Sequence, residues 1–160
     1  MGSGKSTIGR QLAKKLGRPF FDSDKEIEDK TGVNISLIFE IEGEEGFRAR
    51  EAKMLAELAQ NNESVIATGG GIVLLEENRH YLRENGRVVY LRSSAEKLFE
   101  RTRKDKNRPL LNTDDRLSTI KSLMEERKDL YEGLADIIVD TEEQSIRKIL
   151  EQITEHLELE

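Results

Sequence analysis

The chain has 160 residues, of which 36% are hydrophobic and 36% charged, and these proportions are typical of one water-soluble globular domain. Its net charge of -6 argues against a nucleic-acid partner held through a general basic field. The absence of cysteine excludes disulfides, thiolate zinc sites and cysteine-based catalysis. No apolar run has the length of a membrane span and no secretory signal is recognised, so we expect a cytoplasmic protein without a membrane partner.

Helical and extended patterns alternate along the chain, without repeats or linkers. The predicted helices cover residues 6–16, 23–32, 34–41, 47–59, 76–83, 116–131 and 145–157. One further helix is predicted to start at residue 93. The predicted strands cover residues 19–22, 64–67, 87–91 and 136–139. Ser23, Asn34 and Ser93 are predicted to cap the helices that they begin. This alternation predicts an α/β fold, a three-layer parallel sheet flanked by helices, with its ligand at the carboxyl ends of the strands.

The first motif is the back half of a G-x-x-x-x-G-K-[ST] phosphate-binding loop. Its residues are Gly2, Ser3, Gly4, Lys5, Ser6 and Thr7. Glycines let backbone N–H groups surround phosphate oxygens, a lysine supplies a point charge, and a hydroxyl binds Mg²⁺. The helix that follows directs its positive end at the same site. The alternative is a flexible terminus with a chance match.

Two carboxylates, Asp22 and Asp24, close the first strand. One of them could hold Mg²⁺ through water, and the other could accept a proton from a substrate hydroxyl. An aspartate that only caps the next helix explains either residue equally well from sequence.

Arg48 lies three positions before Glu51 in a predicted helix, within reach of an ion pair that would orient it toward a substrate carboxylate. An exposed intrahelical ion pair is the alternative. The run Gly69, Gly70 and Gly71 follows a buried strand, where it predicts close approach of the backbone to a ligand. The alternative there is a flexible turn.

Three further arginines are candidate site residues. Arg108 lies in a polar loop of residues 104–115, which we expect to be mobile and to bring its guanidinium over phosphates. Arg127 lies near the end of a charged helix, and Arg101 could place its flat guanidinium on an adenine ring. For each of the three, a solvent-exposed surface residue is the alternative.

The order of these motifs resembles that of the shikimate kinases of the bacterial aromatic pathway, from Gly2 to about Leu157. The resemblance rests on GSGKSTIGRQLA, DSD, EGEEGFRARE, ATGGG, NRPLL, ERKDLY and VDT. It implies a monomer of nucleoside-monophosphate-kinase fold with strand order 2-3-1-4-5. The implied reaction is Mg²⁺-dependent transfer of the γ-phosphate of ATP to the 3-hydroxyl of shikimate, in aromatic amino-acid (chorismate) biosynthesis.

The resemblance also implies roles around the phosphates. Lys5 would contact the transferred phosphoryl group, Ser6 would ligate Mg²⁺ and Asp22 would hold a metal-bound water. Asp24 would bind the substrate hydroxyls and help to deprotonate the attacking one. Arg108 would close over the β- and γ-phosphates.

Roles toward the substrate and the base follow in the same way. Arg48 and Arg127 would clamp the shikimate carboxylate, and Gly69 to Gly71, chiefly Gly70, would contact the ring hydroxyls. Arg101 would flank adenine, with the loop after Asp140 on its other side. Residues 1–160 would form one kinase domain, with a substrate-binding helical segment at about 24–60 and a mobile lid at about 104–115.

One departure from the family pattern has a structural cost. The first strand of the family order has no counterpart in these 160 residues, so strands three and four of that order would flank a gap. Each buried main-chain group left unpaired there costs roughly 1–3 kcal/mol. The three hypotheses are a longer native protein, residues omitted by the numbering, and a gap filled by other means such as a neighbouring copy.

Two other functions were considered. A kinase for another polyol acid, such as gluconate, would share the phosphate loop, but the arginine pair and the glycine run argue against it. A nucleotide-binding protein without catalysis would be expected to lose Asp24 or Arg108, and both are present.

Overall fold

A computed structural model describes residues 3–61, 63–105 and 108–158. The helices are α1 (Lys5–Leu16), α2 (Ser23–Thr31), α3 (Ile35–Leu58), α4 (Glu76–Asn85), α5 (Ala95–Thr102), α6 (Arg116–Leu134) and α7 (Ile146–Glu158). The strands are β1 (Phe20–Asp22), β2 (Val65–Ala67), β3 (Val89–Arg92) and β4 (Ile137–Asp140). Short 3₁₀ helices cover Gly70–Leu74 and Pro109–Leu111. The predicted order of elements is confirmed, with shifts of a few residues at their ends, except that the predicted helices 34–41 and 47–59 form one element, α3.

The four strands form two separate parallel pairs. β1 pairs with β2, with Phe20 opposite Val65, and β3 pairs with β4, with Val89 opposite Ile137. We call these pairs the first and the second half-sheet. Among the described residues no strand joins β2 to β3. The expected gap is therefore present, and the arrangement matches the implied order 2-3-1-4-5 without its central strand.

Unpaired backbone lines this gap on both sides. In a parallel strand, alternate residues direct their main-chain groups to opposite neighbours. The amide of Val65 donates to Pro19 of the first half-sheet, and Val88 accepts from Ile137 of the second. Ile66, Val89 and Leu91 have the opposite parity, so their main-chain groups point into the gap. A cavity of about 370 Å³ lies there, between β2, β3 and α1.

Helix α1 packs against both half-sheets. Ile8 and Leu12 are buried in a cluster with residues of β4 and α7, and Val65, Val89 and Leu91 pack against the same cluster. α1 thus makes apolar contact with both half-sheets, and its N-terminus lies at the carboxyl ends of the strands.

Two helix caps differ from the prediction by one residue. The Asp22 side chain, and not Ser23, caps α2 by accepting from the amides of Asp24 and Lys25 at 3.1 and 3.3 Å. Ser94, and not Ser93, caps α5. Both errors arise because neighbouring polar residues satisfy the same capping pattern. In the part of the chain that the structure describes, no helix is long and apolar enough to cross a membrane.

Candidate active site

The phosphate-binding motif lies at the N-terminus of α1. Gly4 adopts a left-handed conformation with φ 86°, which directs the chain into the helix. Lys5 follows at the first helical position, and burial lowers the pKa of its ammonium, with the charge of Arg108 acting in the same direction. The Ser6 hydroxyl donates to Asp22 Oδ2 at 2.6 Å. Gly2, predicted to bind phosphate, lies outside the described residues.

A cleft of about 560 Å³ opens above this helix end. The predicted phosphate, metal and adenine residues line it: Ser3, Gly4, Lys5, Ser6, Thr7, Asp22, Asp24, Arg101 and Arg108. The structure therefore brings together motifs that are up to about a hundred positions apart in the sequence. Parallel strands deliver these motifs to one edge, as the alternation of strands and helices predicts.

Asp24 lies in the first turn of α2 and points into the site. Burial raises the pKa of its carboxyl group, and the neighbouring Asp22 charge adds to this rise against the charges of Lys5, Arg108 and Arg48. Oδ1 is buried and has no hydrogen-bond partner among the described residues. A buried carboxylate oxygen without a partner is costly unless a ligand satisfies it.

A second cavity, of about 110 Å³, lies beside the cleft. Its polar walls include Asp24, Arg48, Glu51 and Arg127, and both arginines are buried. Arg48 Nη1 donates to Glu51 Oε1 at 2.9 Å, and Arg48 Nη2 to Glu44 Oε1 at 3.3 Å. The exposed ion pair considered as the alternative for Arg48 is thus wrong, because its guanidinium lies inside the protein.

Glu51 balances the charge of this cavity. Its side chain is fully buried, and burial raises its pKa to about 7, although the charge and hydrogen bond of Arg48 oppose the rise. The Nε atoms of Arg48 and Arg127 are buried without a hydrogen-bond partner in the described part of the protein. Two guanidinium groups with free donors in one small cavity suit an anionic ligand.

The glycine run is needed for space. A Cβ atom on Gly69 would lie 2.9 Å from Glu51 Oε2 and 3.1 Å from Asp24 Oδ1, and one on Gly71 would collide with the Arg48 guanidinium. The sequence predicted close backbone approach to a ligand. The structure shows in addition that Gly69 and Gly71 make room for charged side chains that line the second cavity.

The two cavities meet at one wall. Asp24, Gly69, Gly70 and Arg108 line both of them. Arg108 is held at this wall by an ion pair from its Nε to Asp105 Oδ2, at 2.9 Å. A ligand in the small cavity and a phosphate chain in the cleft would therefore meet between a carboxylate and a guanidinium.

The candidate metal-binding residues fit a Mg²⁺ ion that also takes ligands from water and phosphate. They do not form a metal site made of protein ligands alone. In the ranges 3–61, 63–105 and 108–158, no group of three or more His, Cys, Asp or Glu residues could hold a metal ion. Mg²⁺ is usually held by one or two carboxylates with waters and substrate phosphates. The Ser6 hydroxyl and the Asp22 carboxylate, 2.6 Å apart at the phosphate-binding helix end, fit that pattern.

Comparison with known proteins is consistent with this geometry. The sequence profile of shikimate kinase matches residues 1–158. The chain belongs to the shikimate kinase family. Members of this family are ATP-dependent phosphotransferases that use Mg²⁺.

Individual relatives cover nearly the whole chain. The shikimate kinase of Burkholderia thailandensis is 52% identical over 159 residues, which are 99% of this chain and 86% of that protein. The structure of shikimate kinase from Acinetobacter baumannii in complex with shikimate has a TM-score of 0.96 and 43% identity, and the match covers 99% of this chain and 89% of that one. The implied P-loop kinase fold is confirmed.

A gluconokinase from Sinorhizobium meliloti is also similar in structure. Its TM-score is 0.64 at 21% identity, with 99% of this chain and 87% of that chain covered. At this identity the similarity shows a common fold alone. It therefore adds no support to gluconate as the acceptor.

Some contacts of the site were not predicted, although the residues that make them lie in the quoted motifs. Glu44 and the fully buried state of Glu51 were not predicted as parts of the arginine cavity, although both lie at helical spacing from Arg48. Tyr131, which contacts the glycine run, was also not predicted. Its position four residues after Arg127 is the signal that could have indicated it.

Proposed function

We propose that this chain transfers the γ-phosphoryl group of ATP to the 3-hydroxyl of shikimate, with Asp24 and Arg108 at the point of transfer. The observation that carries the proposal is the wall shared by the phosphate cleft and the arginine cavity, which those two residues line. The shikimate kinase relatives support the choice of acceptor.

The substrate would bind through its two kinds of polar group. Its carboxylate would lie against Arg48 and Arg127, whose buried Nε donors lack partners in the described residues. Its ring hydroxyls would lie near Asp24 and the backbone of Gly69 and Gly70, on the shared wall. This places the reacting hydroxyl toward the cleft and the carboxylate away from it.

The chain's residues would then move one proton and stabilise charge. The substrate 3-oxygen forms a bond to the γ-phosphorus, the bond from that phosphorus to the bridging β–γ oxygen breaks, and ADP leaves. Asp24 accepts the hydroxyl proton, and its raised pKa makes it a stronger base than an ordinary aspartate. Lys5 and Arg108 bring positive charge to the transferred group.

The other predicted site residues have supporting roles in this proposal. Ser6 and Asp22 would hold Mg²⁺, which when bound neutralises phosphate oxygens. Ser3, Gly4 and Thr7 would surround the phosphates, and Arg101, on the cleft wall, would flank the adenine. Residues 104–115 would act as a lid. Its C-terminal part is anchored, because Leu111 is buried in a cluster with α5 and α6. We also propose that the protein is a monomer, as the family resemblance implies, and that it is cytoplasmic, as its composition predicts.

Turnover of ATP against a panel of hydroxy acids tests the acceptor. We expect phosphorylation of shikimate and little activity on gluconate. No turnover of shikimate would refute the proposal.

Asp24→Ala tests the base in the same assay. We expect it to lower kcat by about 10²–10⁴-fold, the typical contribution of a general base. Asp29→Ala is the matched control, because it removes an exposed carboxylate from the same helix, where Asp29 only pairs with Lys25. Unchanged turnover in Asp24→Ala would remove Asp24 from the mechanism.

A further inference from the structure

The hydroxyl of Tyr131 contacts the glycine run from behind. It donates a hydrogen bond to the carbonyl oxygen of Gly70 at 2.6 Å. Gly70 lines the substrate cavity, but Tyr131 lies on the other side of the loop, at a separate cavity near β3. A change at Tyr131 would therefore reach the substrate only through the backbone of the loop.

The tyrosine ring is fixed independently of its hydroxyl. It stacks on Tyr90 of β3, with ring centroids 5.0 Å apart and an angle of 28° between the planes. Stacking of this kind fixes the position of a side chain beyond what apolar burial does. The hydroxyl is thus presented to Gly70 from a rigid platform.

Tyr131 also lies close in the fold to Arg127, the residue proposed to bind the substrate carboxylate. Tyr131 lies four residues after Arg127 on α6, so the two side chains share one face of the helix. Burial raises the pKa of Tyr131, while the charge of Arg127 opposes the rise. The tyrosine therefore remains a neutral donor to the Gly70 carbonyl, one helical turn from Arg127 on the same face of α6.

We propose that Tyr131 is a positioning residue that fixes the distance between the carboxylate-binding Arg127 and the hydroxyl-binding backbone of Gly69 to Gly71. This inference rests on the proposed function. A substrate whose carboxylate and hydroxyls are separated by a rigid ring requires such a fixed distance. Without the bond, the loop would bind the same groups in a wider range of positions.

Tyr131→Phe tests this role because it removes the hydroxyl and keeps the stacked ring. We expect the Kd for shikimate, measured by titration calorimetry without turnover, to rise about three- to tenfold, the factor that corresponds to one net hydrogen bond. The Kd for ATP should rise less, since the hydroxyl reaches the phosphate cleft only through Gly70, which lines both cavities. The melting temperature should change little, since the variant keeps the ring that stacks on Tyr90.

Tyr81→Phe is the matched control. The Tyr81 hydroxyl also donates to a backbone carbonyl, that of Ala56 at 3.4 Å, but in α3 and away from the glycine run. We expect this variant to bind shikimate as the unaltered protein does.

The outcomes separate the two proposals. If the unaltered protein binds shikimate and Tyr131→Phe binds it with the same Kd, the positioning role is refuted and the proposed function still stands. Equal losses for shikimate and ATP, or a variant that no longer folds, would show a general structural role and would also refute it. Absence of binding by the unaltered protein would refute both.

Discussion

The guanidinium of Arg48 is enclosed by three neighbours. Glu51 and Glu44 accept its hydrogen bonds, and Gly71 leaves the space that the planar group occupies. Glu44 is about half exposed, whereas Glu51 is fully buried. In the proposed binding mode, a substrate carboxylate would replace Glu44 at Nη2 while Glu51 continues to orient the arginine from within.

Replacement of Arg48 should affect one ligand selectively. We expect Arg48→Ala to raise the KM for shikimate about a hundredfold, because a charge-assisted bidentate contact contributes about 3 kcal/mol. The KM for ATP should barely change. Steady-state kinetics with each substrate varied in turn provides the measurement.

Arg50→Ala is the control for this prediction. Arg50 lies in the same helix, but its exposed side chain pairs with Glu42 at 2.8 Å, outside the cavity. This variant should have the kinetics of the unaltered protein. Equal losses for both substrates in Arg48→Ala would contradict the carboxylate-binding role.

The residue types of the site could be predicted from sequence, but their neighbours only in part. Lys5, Ser6 and Asp24 stand in motifs whose chemistry requires those residue types. The contact between Tyr131 and Gly70 joins residues 61 positions apart, and only the packing of α6 on the loop after β2 brings them together. Local spacing contains no information on such a distance.

At the scale of elements, α3 has a break that the sequence indicated. Two helices separated by a turn at residues 43–46 were predicted, and the structure has one helical element with a non-helical residue, Gly43, inside it. The dihedral angles of Gly43, φ 72° and ψ 179°, belong to a region that is essentially restricted to glycine. The break turns the chain between its first helical stretch and the stretch that presents Arg48 and Glu51.

Gly43→Ala should therefore destabilise the fold. No atom lies within 4 Å of the added methyl group, so the cost is conformational alone, about 1–3 kcal/mol in the free energy of unfolding. Chemical denaturation measures this change.

Gly133→Ala provides the comparison, since its site in α6 is also open but has an ordinary helical conformation. There we expect no loss, or a gain of up to about 1 kcal/mol. Equal effects of the two substitutions would show that the backbone of Gly43 is not constrained in solution.

Helix caps were predicted less well than the helices themselves. Asp22, Ser23, Ser93 and Ser94 all suit the capping position, and the backbone entering each helix decides between neighbours. For α2 that choice matters, because Asp22 also accepts from Ser6 and so joins the helix cap to the predicted Mg²⁺ site.

At the scale of the molecule, the gap between the half-sheets could be predicted from the sequence. The packing of α1 on both half-sheets could not. Strand order followed from the family resemblance, and strand pairing agrees with it. The packing of α1 on both half-sheets follows from the side chains that surround the gap, Ile8 and Leu12 among them. Helical periodicity alone could not identify their partners.

Amide hydrogen exchange should detect the gap residue by residue. We expect the amides of Ile66, Val89 and Leu91, which point into the gap, to exchange about tenfold or more faster than those of Ala67 and Tyr90. The amides of Ala67 and Tyr90 point to the neighbouring strand of their own half-sheet. Exchange followed by NMR gives the comparison within single strands. Protection of Ile66 equal to that of Ala67 would mean that another strand pairs with this edge in solution.

The position of α1 also has a thermodynamic consequence. The helix that begins at Lys5 packs against both half-sheets, so we expect a ligand at its N-terminal end to stabilise this packing. A nucleotide that binds only the folded chain adds about 2.7 kcal/mol of stability at a hundred times its Kd. On the proposed function, the phosphate donor would therefore also stabilise the fold, and release of the nucleotide would lower the free energy of unfolding.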